Sequence, residues 1–307
     1  MESPNTAAAR QDLYPSRTGA EARLLERQDP IVRGTVSDGP LEQAALDHFE
    51  QHGYLLFQGL FNAEEVASLQ AEMKRIWAAR QEDSGDEVIR EPESAELRSV
   101  FRIHETSEVF ARVCRDPRLL GAAMQILGSP VYVHHSRINY KPGYAGREFY
   151  WHSDFETWHV EDGIPRPRAL SISVALTENT EHNGPLMVIP GSHRHYVSCP
   201  GETPADNFKS SLRKQEYGVP DPASLDALMK RSTAPLTSAK GPPGTVLMFD
   251  ANIMHGSNGN ITPDPRTVLY FVYNSVHNTP EAPFGNRPPR PAFLRNLDFT
   301  PLRSVQG

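Results

Sequence analysis

The sequence predicts an α+β protein that is mainly β, in which helices flank a sandwich or barrel of short strands. Helical periodicity is concentrated in residues 40–128, whereas period-two alternation appears after Pro130. The 307 residues include 27 prolines, many of them in polar segments between apolar runs. Because proline ends sheet ladders and fixes turns, this distribution favours many short strands over a bundle of helices.

The first part of the chain contains the predicted helices. Residues 1–38 show little periodicity and are predicted to form a weakly structured N-terminal arm. Residues 40–51 favour a short helix that ends at Gly53. Asn62 followed by Glu65 is typical of a capping box, and it precedes an apolar helical face. Residues 106–128 predict one or two further helices, with Pro117 at the start of the second.

The second part contains the predicted strands. Residues 131–140 form the first, and residues 170–177 alternate apolar and small polar side chains with a period of two. Further strands are predicted at 186–189, 245–249 and 267–276, and a charged, helical insertion interrupts them at about 201–240. We therefore predict a single domain over residues 39–307 that contains this insertion.

Composition excludes several classes of protein. The net charge is −7, so no basic excess is available to neutralise the phosphates of a nucleic acid. Two cysteines are too few for a secreted disulfide framework, and no run approaches the 18 apolar residues of a membrane span. No basic segment followed by an apolar one is present near Met1, so we expect a cytoplasmic protein without a membrane or nucleic-acid partner.

A candidate metal site begins in the segment 149–154, with sequence FYWHSD. In a strand, residues i and i+2 point the same way, so His152 and Asp154 can bind one metal ion together. His255 follows a later predicted strand and supplies a second histidine. Two histidines and one carboxylate on one face leave three coordination positions open, as in non-haem Fe(II) oxygenases. A bidentate 2-oxo acid and O2 can occupy those positions.

Two other local groups also offer side chains that can bind a metal ion. His159 and Glu161 have the same spacing, but no third ligand is implied, and we interpret them as neighbours of the site. His193 and His195 follow the turn sequence Pro-Gly-Ser, and we interpret them as part of a solvated turn.

A 2-oxo acid with two carboxylates needs a cation for the end that does not touch the metal. Arg266 follows His255 by eleven residues at the entry of a predicted strand, and its planar guanidinium suits a carboxylate. Lys141 is a second candidate, and Ser257 can add a hydroxyl donor. Because Fe(II) and Asp154 together carry one positive charge, a dianion needs about one more cation beside it.

Several motifs resemble those of the ectoine hydroxylase family, which is part of the phytanoyl-CoA dioxygenase-like superfamily. The most specific is FYWHSDFETWHVEDGIP at 149–165. Supporting stretches are DLYPSR at 12–17, SRINYKPG at 136–143, NGPLMVIPGSH at 183–193 and HGSNGNITPDPR at 255–266. The resemblance therefore covers nearly the whole chain, although PGSH and the H-x-D triplet are shared with the wider superfamily.

This resemblance implies a double-stranded β-helix, or jelly-roll, core of the cupin-like type. It implies Fe(II), 2-oxoglutarate and O2 as reactants, and conversion of ectoine, a compatible solute of osmotic stress, to 5-hydroxyectoine with release of succinate and CO2. It also implies a homodimer. By matching position, it assigns His152, Asp154 and His255 to iron; Lys141, Ser257 and Arg266 to 2-oxoglutarate; and Thr157, Trp158 and Phe249 to the substrate pocket. An aromatic wall, of which Trp158 is the best ring, suits the amidinium-type cation of ectoine.

Two residues depart from the family pattern. His135 stands where the family places a substrate-binding glutamine, and Tyr270 stands where we expect phenylalanine in the pocket wall. Both bear on the substrate more than on the reaction, because a neutral histidine offers one hydrogen-bond donor where glutamine offers two. We expect ectoine still to be accepted, with weaker affinity. The alternatives are the same chemistry on another small cyclic amino acid, and a non-catalytic cupin-like metal-binding protein.

Overall fold

Thirteen strands and eight helices form over residues 11–91 and 95–305, the part of the chain that this computed structural model describes. The helices are α1 Gln43–His52, α2 Ala63–Ala79, α3 Ile103–Thr106, α4 Glu108–Val113, α5 Pro117–Leu127, α6 Asp154–Thr157, α7 Asn207–Ser211 and α8 Pro222–Lys230. The strands are β1 Arg23–Glu26, β2 Tyr54–Phe57, β3 Val88–Arg90, β4 Leu97–Phe101, β5 Val131–Lys141, β6 Phe149–His152, β7 Ala169–Ala175, β8 Leu186–Val188, β9 His195–Ser198, β10 Thr237–Ser238, β11 Val246–Asp250, β12 His255–Ser257 and β13 Arg266–Ser275.

A seven-stranded antiparallel sheet forms the larger layer, in the order β2-β11-β7-β13-β5-β4-β3. The two longest strands, β5 and β13, pair along their whole length at its centre, and Arg266 lies opposite Lys141. A register shift between Val272 and Tyr273 interrupts this pairing near its other end. Long central strands of this kind give the layer a rigid frame on which side chains hold fixed positions.

The two faces of this sheet carry different residues because side chains alternate along each strand. On β7, Ile172 and Val174 pack against the helices in the main apolar core. Ser171, between Leu170 and Ile172, points to the other side and donates a hydrogen bond to Asp154. The helix-facing side of the layer is therefore apolar, while the opposite side carries the polar groups of the site.

A smaller four-stranded sheet, in the order β10-β8-β12-β6, faces that polar side. Leu186 and Val188 of β8 pack with Leu247, Phe249 and residues of β13 in a second apolar cluster between the sheets. The two layers form an antiparallel sandwich, as the sequence predicts. The predicted strands at 131–140, 245–249 and 267–276 match β5, β11 and β13 to within a residue or two.

Local sequence explains where the flanking helices begin and end. The Asn62 side chain accepts hydrogen bonds from the backbone N–H groups of Glu64 and Glu65, so the predicted capping box is present at the start of α2. Asp116 caps α5 and Pro117 occupies its first turn, while Gly128 ends it in the left-handed conformation at φ +56°. These helices cover the apolar face of the large sheet.

The described part of the N-terminal arm has little regular structure and is packed against the domain. Strand β1 pairs with β9 in a separate two-stranded sheet. Tyr14 is completely buried, and Ser16 and Arg17 are only 5% and 6% exposed. Polar side-chain contacts made by Ser16 and Arg17, which hydropathy patterns cannot predict, hold this segment in place. Residues 1–10 of the predicted arm lie outside the described residues.

The predicted insertion at about 201–240 contains α7, α8 and the short strand β10. Leu212, just after α7, borders the cavity between the two sheets. Within the described residues, no helix has the length and apolar character needed to cross a membrane.

Candidate active site

Three side chains converge between the two sheets. His152 ends β6 and His255 begins β12, and these residues are direct partners in the antiparallel pair. Asp154, two residues after His152, opens α6. The Nε2 atoms of His152 and His255 lie 3.7 Å and 3.8 Å from the two carboxylate oxygens of Asp154. One ligand atom from each residue falls within 4.8 Å of the others, a spacing that suits a single metal ion.

The hydrogen bonds of the two imidazoles present the correct nitrogen to that ion. Nδ1 of His152 faces the backbone oxygen of Tyr150 at 2.8 Å, and Nδ1 of His255 faces that of Ile253 at 3.0 Å. A proton on each Nδ1 leaves both Nε2 lone pairs free for the metal. Burial, followed by the nearby His255, lowers the pKa of His152 to about 3, so its ring is neutral and able to coordinate. The donor set therefore fits Fe(II).

A cavity of roughly 760 Å³, including its open mouth, extends from the triad between the sheets. Most of its polar wall comes from alternate residues of β5 and β13. On β5 these are His135, Arg137, Asn139 and Lys141, and on β13 they are Arg266 and Tyr270. The apolar Val272 of β13 also lines the cavity.

The three predicted 2-oxoglutarate residues lie together at one end of this cavity. Lys141 donates a hydrogen bond to the Ser257 hydroxyl at 2.9 Å and another to the backbone oxygen of Asn258. Arg266 is 3% exposed and donates to the backbone oxygen of Gly184 at 2.7 Å. Its Nε has no hydrogen-bond partner among the described residues, so the guanidinium retains a donor for a ligand.

Lys141 is the residue in this group whose charge the cavity changes most. Burial, followed by the positive charges of Arg266 and Arg98, lowers its pKa to about 6. Without an anion beside it, the amine is therefore mostly neutral near pH 7. A carboxylate placed between Lys141 and Arg266 would favour the charged form and raise this pKa again.

The predicted substrate residues divide into two groups. Phe249, His135 and Tyr270 line the cavity, with the Phe249 ring centroid 5.0 Å from that of His255. Thr157 and Trp158 do not belong to the lining that the described residues form. Trp158 is 2% exposed and lies behind His135, with the two ring centroids 5.9 Å apart. In this structure the tryptophan supports the cavity wall rather than forming its surface.

His135 itself is held between aromatic rings. Its ring centroid lies 6.0 Å from that of Phe101 and makes an edge contact with Trp158. Its Nδ1 is buried without a hydrogen-bond partner among the described residues. Burial, followed by the charge of Arg137, holds the pKa of His135 well below its ordinary value, so the imidazole is neutral.

Sequence reasoning missed two arginines in the cavity. Arg137 stacks on the rings of Tyr270 and Phe101, at 5.1 Å and 5.8 Å from their centroids, and its Nε has no partner within the described chain. Arg98 of β4 pairs with Glu91 and donates to the backbone oxygen of Arg213 at 2.9 Å. The signal for Arg137 was present, because residues two apart in a strand share a face, and Arg137 lies two residues after His135 on the predicted strand at 131–140.

The other two candidate groups for metal binding make different contacts. His159 pairs with Asp12 at 2.9 Å, and Glu161 pairs with Arg17. His193 is completely buried beneath the turn rather than solvated, with its Nε2 3.2 Å from the backbone oxygen of Glu50. Among the described residues, the triad of His152, Asp154 and His255 is the group placed to hold a metal ion.

Comparisons with known proteins agree with this geometry. The model of the phytanoyl-CoA dioxygenase (PhyH) family matches residues 49–268. An ectoine dioxygenase of Sphingopyxis alaskensis is 54% identical over 299 residues, which cover 97% of this chain and 97% of that protein. The crystal structure of EctD from S. alaskensis with 2-oxoglutarate and 5-hydroxyectoine has a TM-score of 0.87 at 49% identity, covering 97% of this chain and 99% of that one.

A second crystal structure, of EctD from S. alaskensis with bound Fe, has a TM-score of 0.86 at 48% identity over the same shares of the two chains. The similarity extends over the whole domain and includes both sheets. The predicted fold class, a cupin-like core with flanking helices, is thereby confirmed.

Replacing Asp154 with Ala should abolish binding of Fe(II). The substitution removes the only carboxylate of the triad and leaves two neutral imidazoles that face each other. Anaerobic titration with Fe(II) and 2-oxoglutarate checks this through the visible metal-to-ligand charge-transfer band, which should appear in the unmodified protein and be lost in the variant. A variant that held stoichiometric iron and turned over would contradict the ligand assignment.

Proposed function

We propose that this chain, which belongs to the phytanoyl-CoA dioxygenase family, is an Fe(II)- and 2-oxoglutarate-dependent hydroxylase. Its proposed reaction converts ectoine to 5-hydroxyectoine. The main observation that supports this proposal is a single cavity lined by both the triad of two histidines and one carboxylate and a separate pair of buried cations, Lys141 and Arg266. A non-catalytic metal protein has no use for that pair. The ectoine dioxygenase of S. alaskensis, 54% identical over nearly the full chain, supports the choice of substrate.

The charges of the cavity can be assigned to the reactants. Arg98 is already paired with Glu91. Fe(II) and Asp154 leave one positive charge for the metal-binding end of 2-oxoglutarate, and Lys141 with Arg266 faces its other carboxylate. Arg137 then remains for the carboxylate of ectoine. Arg137 is half-buried, with its Nε shielded from solvent and without a partner among the described residues, so an anion beside it would lower the cost of this partial burial.

The remaining walls suit the rest of the ectoine molecule. Ectoine is a small zwitterion with a delocalised amidinium-type cation, and Phe249 offers an aromatic face close to the triad. His135 can exchange one hydrogen bond with a polar group of the ring. Together with Arg137, these side chains would hold one C–H bond of the substrate toward the metal.

Bound iron, together with 2-oxoglutarate and O2, supplies the oxidant that replaces a C–H bond with C–OH. The protein does the rest. Lys141, Ser257 and Arg266 hold the cosubstrate, and the second set of residues orients ectoine against it. Leu212 of the insertion lines the cavity, and its apolar side chain would help to exclude water there. Orientation and exclusion of water are the contributions that a protein makes when a cofactor carries the chemistry.

The direct test is turnover of purified protein with Fe(II), 2-oxoglutarate, O2 and ectoine. We expect 5-hydroxyectoine by mass spectrometry, with succinate formed in equal amount. Asp154→Ala serves as the inactive control. Consumption of 2-oxoglutarate without any 5-hydroxyectoine would reject ectoine as the substrate and leave the oxygenase assignment standing. A screen of other small cyclic amino acids for succinate release would then identify the substrate class.

Binding of 2-oxoglutarate near pH 7.5 should be accompanied by uptake of up to one proton. The lowered pKa of Lys141, about 6, leaves the amine mostly neutral at this pH, and the incoming carboxylate restores its charge. Affinity for 2-oxoglutarate should accordingly fall as pH rises above 6. Calorimetry in buffers of different ionisation enthalpy measures the uptake. Equal proton uptake by Lys141→Met would show that another group titrates.

Replacing His135 with Gln should lower KM for ectoine by roughly twofold to tenfold, the value of one neutral hydrogen bond. Neutral histidine has one N–H, and aromatic neighbours fix its ring, whereas glutamine offers two N–H donors and a carbonyl acceptor on a more flexible side chain. Steady-state kinetics at varied ectoine concentration provide the measurement, with KM for 2-oxoglutarate as the internal control. An unchanged or higher KM for ectoine would show that His135 is not the cause of weaker binding.

The proposal also covers the cellular compartment and the oligomeric state of the protein. Cys114 and Cys199 are both free and buried, which suits a reducing, cytoplasmic compartment. We also propose a homodimer, as the sequence resemblance implies. Sedimentation equilibrium should then give twice the chain mass of 34.2 kDa, and the chain mass itself would rule the dimer out.

A further inference from the structure

Three buried acids follow the metal ligand Asp154 on the same stretch of chain. Helix α6 continues directly into a π-helical turn, Trp158–Asp162. Glu156, Glu161 and Asp162 on these two turns are 1%, 5% and 0% exposed. Like charges this close and this deeply buried require cationic partners, and π-helical turns are rare structures that tend to occur at functional sites.

Arg17 of the N-terminal arm satisfies two of these acids at once. It binds Glu156 through two parallel contacts, Nε to Oε1 at 3.0 Å and Nη2 to Oε2 at 2.6 Å. Its Nη1 donates to Glu161, and its Nη2 also reaches the Thr157 hydroxyl at 3.2 Å. Only a guanidinium offers the number and geometry of donors that this arrangement uses.

The backbone at Arg17 is held in an unfavourable conformation to make these contacts. Its φ is +53°, in the left-handed region that non-glycine residues rarely adopt. The preceding Ser16 hydroxyl donates to Glu156 as well, at 2.6 Å, and the Arg17 N–H donates to the backbone oxygen of Cys199 at 2.9 Å. Strain of this kind persists where the surrounding structure fixes it, and it clusters at functional sites.

The same ion pairs anchor the insertion at about 201–240. Arg17 Nη1 lies 3.3 Å from the Thr203 hydroxyl, and Asn207 donates to Glu161 at 2.8 Å. Gly218, at φ +70°, packs so closely that a Cβ there would lie 2.2 Å from Glu156 and 2.4 Å from Arg17. The arm, the helix beside the metal and the insertion therefore meet at one guanidinium.

The two ends of this helical stretch depend on Arg17 to different extents. Asp154 accepts a hydrogen bond from Ser171 at 3.2 Å, and the Phe155 N–H donates to the backbone oxygen of Ala251, so the metal end has hydrogen bonds that do not involve Arg17. Thr157 and Trp158 sit between the two acids that Arg17 holds. Trp158 in turn supports His135 in the substrate wall. Loss of Arg17 should therefore disturb the substrate wall more than the metal.

We propose that Arg17 is a positioning residue for substrate hydroxylation, which acts through Glu156 and Glu161 to hold Trp158 and Thr157 behind the substrate wall. This inference rests on the proposed function for its kinetic consequence. It assigns to the N-terminal arm a part in the active site, although no residue of the arm lines the cavity over the described chain.

The test compares Arg17→Gln and Arg17→Lys with a matched control, Arg27→Gln. Arg27 belongs to the same arm and forms an equally buried ion pair, 2.8 Å from Asp250, but it is not bonded to the helical stretch. Arg17→Lys keeps a charge without the two-pronged contact, so it remains informative if Arg17→Gln does not fold. The measurements are the charge-transfer band with Fe(II) and 2-oxoglutarate, KM for ectoine, and the ratio of 2-oxoglutarate consumed to product formed.

For Arg17→Lys we expect the charge-transfer band to persist, KM for ectoine to rise at least tenfold, and uncoupled consumption of 2-oxoglutarate to increase. Arg27→Gln should lower the melting temperature and leave coupling and KM unchanged. A purely structural role for Arg17 would lower the melting temperature of its variants while the folded fraction kept normal KM and coupling. That result would overturn the proposal.

A measurement without substrate separates this proposal from the choice of ectoine. Hydrogen–deuterium exchange of the amides in residues 155–163 should be faster in Arg17→Lys than in the unmodified protein, and unchanged in Arg27→Gln. Protection that is the same in all three proteins would overturn the proposal even if ectoine is hydroxylated. Faster exchange confined to Arg17→Lys would support it even if another substrate replaces ectoine.

Discussion

The antiparallel pairing of β6 with β12 is the constraint on which the site depends. It places His152 opposite His255 although they are 103 positions apart in the sequence, and it fixes the relative position of the two backbones. The backbone oxygens of Tyr150 and Ile253 then set the orientation of both rings. A shift of one residue in this pairing would turn one imidazole to the opposite face and leave the ion with two ligands.

Burial of charge is the second constraint, and it explains which kind of ligand the cavity suits. Arg266, Lys141 and Arg137 project from alternate positions of two paired strands into one enclosed space. Three cations there are unfavourable in isolation, and the lowered pKa of Lys141 shows how the structure reduces that cost. Anionic ligands remove the remaining cost when they bind. The cavity is therefore suited to anions, which the carboxylates of the cosubstrate and of the substrate supply.

The sequence predicted what depends on local pattern. Period-two alternation located β7, runs between turn residues located β5, β11 and β13, and the spacing of His152 and Asp154 indicated a shared metal. The positions of two residues could not be predicted from local pattern. Trp158 was expected at the pocket surface, but it lies on a π-helical turn, which has no sequence signature and rotates the side chain behind His135. Arg137 was not singled out from the sequence, and its register opposite Tyr270 places it in the cavity wall.

The N-terminal arm shows why a lack of periodicity is not a lack of structure. Its segment around Tyr14 and Arg17 has neither helical nor strand alternation, yet it is buried, because hydrogen bonds to acids on α6 and the following turn replace a regular backbone ladder. The C-terminal segment does the same from the other side, where Arg290 binds Asp162 through two contacts. Both ends of the chain thus neutralise the stretch that begins with a metal ligand. Buried acids beside a metal site need such partners, because unpaired charges inside a protein are unfavourable. The substrate wall beside the metal is therefore complete only when both distant segments have folded against this stretch.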